Sequence, residues 1–240
     1  MKNLSNSQNL DHLYEARRRV IACATVIEEM LPFLPADVPH EILDFGLHLN
    51  PAELKKVLQE KIVEASRYAD VLLLGYGLCS MAVVGLKAST ATLVIPRTDD
   101  CIAILLGSYK RYIQEFDATP GTYYLTKGWL ESGSNPLQEY QEILAKYGEK
   151  DATWIMDQQY QHYERIAFVA HNQEDLEKYR PKAIEVAEYC KRWGMRYEEI
   201  LGSDIYVRRL IEIASSPNKA DADFVVIPPG GEVTQEMFMR

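Results

Sequence analysis

A chain of 240 residues is long enough to bury a sizeable core, as one large domain or two small ones. Its 26 basic and 35 acidic side chains leave a net charge of −9 and a pI near 5.1. That argues against nucleic acid or an anionic membrane surface as main partner, since either asks for a basic face. A hydrophobic content of 47% with 25% charged residues excludes general disorder.

In chain order, residues 1–18 read as a polar, partly helical lead-in with no signal-peptide pattern. Val20, Ile21 and Ala22 give a short strand signal, and residues 25–28 (Thr-Val-Ile-Glu) fit a capping box opening a helix. Residues 41–45 read as a second strand. Asn50, Pro51 and Glu53 then offer a cap, a first-turn proline and a first-turn acid. They precede a helix whose apolar stripe is Leu54, Val57, Leu58, Ile62 and Ala65. Residues 71–74 predict a third strand, apolar throughout and so buried on both faces, after which Ser80 is placed to cap a helix. Residues 92–96 predict a fourth strand, and 101–116 a long helix opened by Thr98, Asp99 or Asp100. A strand with a loop is expected over 121–131, and helices over 137–147 and 152–163. The longest apolar stretch, 71–86, is broken by Gly75, Gly77 and Ser80 and falls short of the ~18 unbroken residues of a membrane span. A soluble cytoplasmic protein is therefore expected, whose four cysteines are reduced thiols and not a disulfide framework.

Strands alternating with helices at this interval indicate βαβ units, hence an α/β fold with a Rossmann-like parallel sheet in the N-terminal half. The pattern returns more weakly: residues 165–170 resemble 19–22, 199–202 resemble 41–43, and 222–227 resemble 69–74. This suggests a second, similar α/β lobe, a pseudo-repeat, with chance likeness between buried strands as the alternative. The expected division is a lead-in over 1–18, a lobe over 19–131 carrying the site, and a second lobe over 132–240 packed on it.

Three cysteines occupy equivalent positions in this pattern. Cys23 follows the first strand, Cys79 the third, and Cys101 the fourth, and His48 stands in the matching place after the second. In an open parallel sheet these places are all at the carboxyl edge, where ligands bind. Three thiols and an imidazole are a tetrahedral zinc set, and helix amino-ends favour the thiolate, most of all at Cys101. Cysteine is also commonly buried for packing alone, but four equivalent positions favour a metal or reactive-thiol site. Cys190 lies within a helix and is read as structural.

The segments 21–23, 46–48, 73–79, 94–97 with Asp100 and Cys101, and 120–126 with Gly128 and Trp129 resemble the domain of unknown function 1638 family. The resemblance covers about residues 20–131 well and the remainder loosely. It brings no catalytic activity with it. Similar chains occur in anaerobic bacteria and methanogens, some encoded near corrinoid-dependent methyltransferases, so the resemblance implies a corrinoid or one-carbon setting. The family pattern has His where this chain has Asp99, which leaves the imidazole to His48.

Ligand contacts are expected from Tyr76, Gly77, Arg97, Asp100, Thr126 and Trp129 around the same edge. Arg97 is read either as a clamp for a carboxylate or phosphate or as a salt-bridge partner of Asp99 or Asp100. His171 is read as a loop residue that could face the cleft. The function expected is a metal-binding protein, zinc held by Cys23, His48, Cys79 and Cys101, acting in corrinoid-linked or other one-carbon methyl transfer. Two alternatives stand beside it: a corrinoid or tetrapyrrole carrier, and a thiol-redox protein cycling Cys79 and Cys101. Expected partners are a small-molecule or cofactor ligand and a corrinoid protein or methyltransferase, with no nucleic acid and no membrane.

Overall fold

The two strongest apolar runs, around residues 20 and 72, lie side by side at the middle of the larger of two sheets. The computed structural model describes residues 16–240, so most of the expected lead-in, residues 1–15, lies outside the described residues. The larger sheet is built from β1 (Arg18–Cys23), β2 (His40–Leu43), β3 (Val71–Gly75), β4 (Thr92–Pro96) and β8 (Phe224–Ile227). Its order is β2-β1-β3-β4-β8, parallel except for β8, which runs antiparallel to β4. The smaller sheet is parallel throughout, in the order β5 (Thr122–Leu125), β6 (Arg165–Ala170), β7 (Arg196–Leu201). The expected Rossmann-like α/β architecture is present.

Local chemistry accounts for most elements. α2 (Pro51–Ala65) begins where Asn50 accepts the Glu53 N–H at 3.2 Å with Pro51 in the first turn. Its buried residues Leu54, Leu58, Ile62 and Ala65 form the expected stripe. It packs on the face of the larger sheet presented by Ile21, Leu72, Leu74, Leu93 and Ile95. The alternate residues Val20, Ala22, Leu73 and Val94 face α1 (Ala24–Met30) and α9 (Ile205–Ser215). β3 is buried along its whole length, as a central parallel strand must be. α3 (Cys101–Leu106) joins the sheets, sending Ile102, Leu105 and Leu106 against Ala167, Val169 and Ile200.

Four expectations are corrected. Cys23, not Thr25, is the N-cap of α1, and no side chain caps that helix. No helix joins β3 to β4, so Ser80 caps nothing. Residues 76–91 run as turns whose apolar residues Ala82, Val83 and Leu86 sink into the core, tied to the C-terminal segment by Gly85 N–H to Val233 O at 2.7 Å. The long helix over 101–116 is two, α3 and α4 (Tyr109–Ala118), parted by Gly107 at φ 86° and restarted by the Ser108 cap on Arg111. Residues 222–227 are not a third strand of the second lobe, because β8 joins the larger sheet while β5 takes the place beside β6. The likeness of the halves therefore stops at two strands, and sheet membership does not change at residue 131. β5 with α5 (Lys127–Ser132) belongs to the second sheet, and β8 to the first.

The remaining helices cover the second sheet. α6 (Pro136–Tyr147), α7 (Glu149–Tyr160) and α8 (Gln173–Cys190) close its core, which includes Met156, Phe168, Val186 and the fully buried Cys190.

Candidate functional site

The carboxyl ends of β1, β3 and β4 open onto one pocket of about 240 Å³. Cys23, Cys79 and Cys101 all line it, with Asp44, Phe45, His48, Tyr76, Asp99, Asp100 and Trp129. The sequence places thiols at three strand ends, and the parallel order β1-β3-β4 brings those ends together.

Each thiol is held differently. Cys23 is the last residue of β1 and the N-cap of α1. Cys101 opens α3 directly after Asp100, whose carboxylate caps the helix by accepting the Ile102 N–H at 2.8 Å. Cys79 sits in a turn where it, Ser80 and Met81 all adopt left-handed backbone, with φ of 47°, 54° and 72°. Three successive non-glycine residues in that region store strain of about 1–3 kcal/mol each, and the sequence carries no signal for it. Hydrogen bonds anchor this turn to the loop after β4: Leu78 N–H to Thr98 O at 2.7 Å and Cys79 N–H to Asp99 O at 2.9 Å. Gly77 allows that approach, since a Cβ there would meet Thr98 Oγ1 at 2.6 Å.

Burial governs the charge of these groups. It pushes the Cys23 thiol up to about 11, against weaker help from the N–H groups of Val26 and Thr25. Cys79 and Cys101 are driven higher, first by burial and then by the nearby thiols and Asp100. The expected helix-terminus advantage at Cys101 is thus outweighed, and all three are thiols at neutral pH until a cation displaces their protons. Burial also raises Asp100, with Asp99 adding to it. Tyr76 lies beside Cys23 and Cys79 with its phenol pushed far above the ordinary range. The buried hydroxyls of Tyr76 and Thr25, both on the pocket wall, have no hydrogen-bond partner among the described residues.

His48 stands at the pocket's rim on a short 3₁₀ turn, Phe45–Leu49, and is exposed. Its Nδ1 meets the Phe45 carbonyl. A carbonyl only accepts, so Nδ1 carries the proton and Nε2 is left as the electron-pair donor. Phe45, His48 and Trp129 cluster there, with the Phe45 and Trp129 rings 5.1 Å apart at 76°. Among the described residues no three His, Cys, Asp or Glu side chains are gathered closely enough to hold an ion as they stand.

Of the expected ligand contacts, Tyr76, Asp100 and Trp129 line the pocket, and Gly77, Arg97 and Thr126 do not. Arg97 is neither clamp nor partner of Asp99 or Asp100. Its guanidinium donates to the Met239 and Ala222 carbonyls and so pins the C-terminal segment. Thr126 is the buried N-cap of α5.

One polar cluster escaped the sequence reading. Lys127 Nζ lies 2.8 Å from Glu29 and 3.1 Å from Asp175, and His171 Nδ1 lies 3.0 Å from Glu29. Burial pushes the Glu29 carboxyl up, but His171 and Lys127 more than reverse this and hold it below its ordinary value. The only signal was an acid on the buried face of α1, where Thr25, Val26, Ile27 and Met30 surround it.

Fold and site together define a parallel α/β protein with a thiol-lined pocket at a sheet's carboxyl edge. The model of the family described as "Protein of unknown function (DUF1638)" matches residues 42–210, more than half of the chain, which therefore belongs to that family. The match spans His48, Cys79 and Cys101 and begins after Cys23. Comparisons with curated proteins and with solved structures returned no match. No helix among the described residues is long and apolar enough to cross a membrane.

Proposed function

We propose that this chain is a metal-binding protein in which Cys23, Cys79 and Cys101 hold zinc as thiolates, with His48 Nε2 or a substrate atom as fourth ligand. The observation that carries this reading is the convergence of three thiols from three strand ends on one pocket. Cys₃His is an established zinc set, and a position left to substrate makes the ion a Lewis acid. The thiols must draw closer than they now stand, and the strained turn at Cys79 is the segment with energy to release on moving. Zinc with an open position would acidify an incoming thiol, the activation that methyl transfer to sulfur needs. Corrinoid-linked one-carbon chemistry, with a corrinoid protein or methyltransferase as partner, is the setting the family resemblance implies.

The alternatives draw less support. A pocket of about 240 Å³ is smaller than the roughly 300–1,000 Å³ that enclose drug-sized ligands, so a buried corrinoid ring is disfavoured. Thiols raised by burial are poor nucleophiles for disulfide exchange. The test is elemental analysis of protein purified anaerobically, with close to one colourless zinc per chain expected. Substoichiometric metal after growth and purification with zinc or iron supplied would refute the reading.

A further inference from the structure

The pocket is larger than the ion proposed for it. At about 240 Å³ it has room for about eight waters at ~30 Å³ each, of which one coordinated ion fills little. Its charge has one sign: among the described residues Asp44, Asp99 and Asp100 line it, and no Lys or Arg does. Asp100 is half-buried, accepts from the Ile102 N–H and the Tyr112 hydroxyl, and has no Lys or Arg beside it among the described residues. Three thiolates around a divalent ion still sum to a negative charge, so metal does not reverse the sign. An anionic occupant therefore meets three acidic side chains in either state, and a neutral one leaves them without a counter-charge. Phe45 and Trp129 present rings at 76° on the same wall, a surface suited to a cation whose charge is spread over alkyl groups. The unpartnered Tyr76 and Thr25 hydroxyls, 3% and 1% exposed, mark the pocket as built for an occupant with a polar atom of its own.

We infer that the organic occupant is a small alkylated cation, an ammonium or sulfonium whose charge is covered by methyl or methylene groups, seated against Phe45 and Trp129 beside the thiols. The inference shares its pocket with the metal reading and deepens it by naming the class of substrate, but charge and aromatic wall carry it without the ion. Calorimetric titration of the full chain with tetramethylammonium, neutral tert-butanol and anionic pivalate tests it, on zinc-loaded and chelator-treated samples whose metal is read by elemental analysis. Tetramethylammonium is expected to bind in both samples, tert-butanol at least about tenfold more weakly, and pivalate not at all. Trp129→Leu should weaken tetramethylammonium at least about fivefold and Trp129→Phe about twofold or less, with circular dichroism unchanged. Equal binding of tert-butanol, preference for pivalate, or no binding of tetramethylammonium in either sample would overturn the inference. Absent zinc with normal tetramethylammonium binding would sink the metal reading alone, and bound zinc without tetramethylammonium binding this inference alone.

Discussion

The carboxyl edges of the two sheets handle buried charge in opposite ways. At the smaller sheet's edge, Glu29 is buried against Lys127 and His171, and its carboxyl is held below the ordinary range. At the larger sheet's edge, Asp100 is half-buried with no Lys or Arg beside it among the described residues, and desolvation pushes its carboxyl up. The first arrangement supplies its own counter-charge and reads as a structural tie between α1, α5 and α8, although His171 Nε2 is buried without a partner among the described residues. The second lacks a counter-charge among the described residues, in a pocket with three thiols, and the metal and alkylated-cation proposals both rest on that difference. Burial alone does not separate structure from function here. The presence or absence of an internal partner does.

The largest expected effect breaks the comparison on the pocket side. Cys23→Ser, Cys79→Ser and Cys101→Ser should each remove most of the bound metal, because a serine hydroxyl is a poor zinc ligand at neutral pH. His48→Ala should lower occupancy by a smaller factor, since water can take the fourth position. Cys190→Ser should leave metal unchanged: this thiol lies in the core of the second lobe, raised to about 12 by burial alone. Metal per chain across the five variants, with folding checked by circular dichroism, decides the matter. Equal behaviour of all four cysteine variants would return Cys23, Cys79 and Cys101 to ordinary packing.

The next effect breaks the other edge. Lys127→Met leaves buried Glu29 with His171 alone and half-buried Asp175 without its cation, and should destabilise the chain by about 2–3 kcal/mol in urea unfolding, with metal content retained. The pH dependence follows from the lowered Glu29 carboxyl. Its contribution is fully present above the unfolded value of about 4.3 and is lost as pH falls through the lower folded value. The native chain should lose this increment on acidification, and Lys127→Met, which keeps only His171 beside Glu29, should lose a smaller one. Parallel acid profiles would show that Lys127 contributes nothing to it. A smaller cost of about 1–3 kcal/mol is expected from Cys190→Ser, which buries a hydroxyl in an apolar site.

How much of this was legible depends on the range of the interactions. β1, β3, β4 and α2 were readable because their signals are local: an apolar run, or Asn50 and Pro51 ahead of a stripe. Their carboxyl-edge order followed from the parallel βαβ rule, so the convergence of Cys23, Cys79 and Cys101 was readable too. The turns over residues 76–91 were not. An apolar stretch such as Ala82, Val83 and Leu86 looks alike whether it packs as helix or as turn, and here the C-terminal segment, more than a hundred residues away, sets its path. β8 failed for the same reason: a strand's sequence records that it is buried, not which sheet it joins. Arg97 was misassigned because its partners are backbone carbonyls, which no residue type announces.

The smallest expected effect sharpens the comparison most. Asp100→Asn keeps the shape and the helix cap, since Asn is as good an N-cap as Asp and can still accept the Ile102 N–H. It removes the negative charge and turns the oxygen that accepts from the Tyr112 hydroxyl at 3.4 Å into an amide donor. If Asp100 is a structural acid like Glu29, the change should destabilise the chain, as loss of a satisfied ionic partner does. If it is an acid waiting for an outside cation, Asn should be neutral or stabilising by about 1 kcal/mol in metal-free protein, because a half-buried carboxylate without a counter-charge disappears. The same substitution should weaken tetramethylammonium binding, so that one change moves stability and affinity in opposite directions. A packing residue moves both the same way or leaves affinity untouched. Urea unfolding of the chelator-treated variant beside its tetramethylammonium titration therefore reads whether the carboxylate is held for the fold or for the ligand.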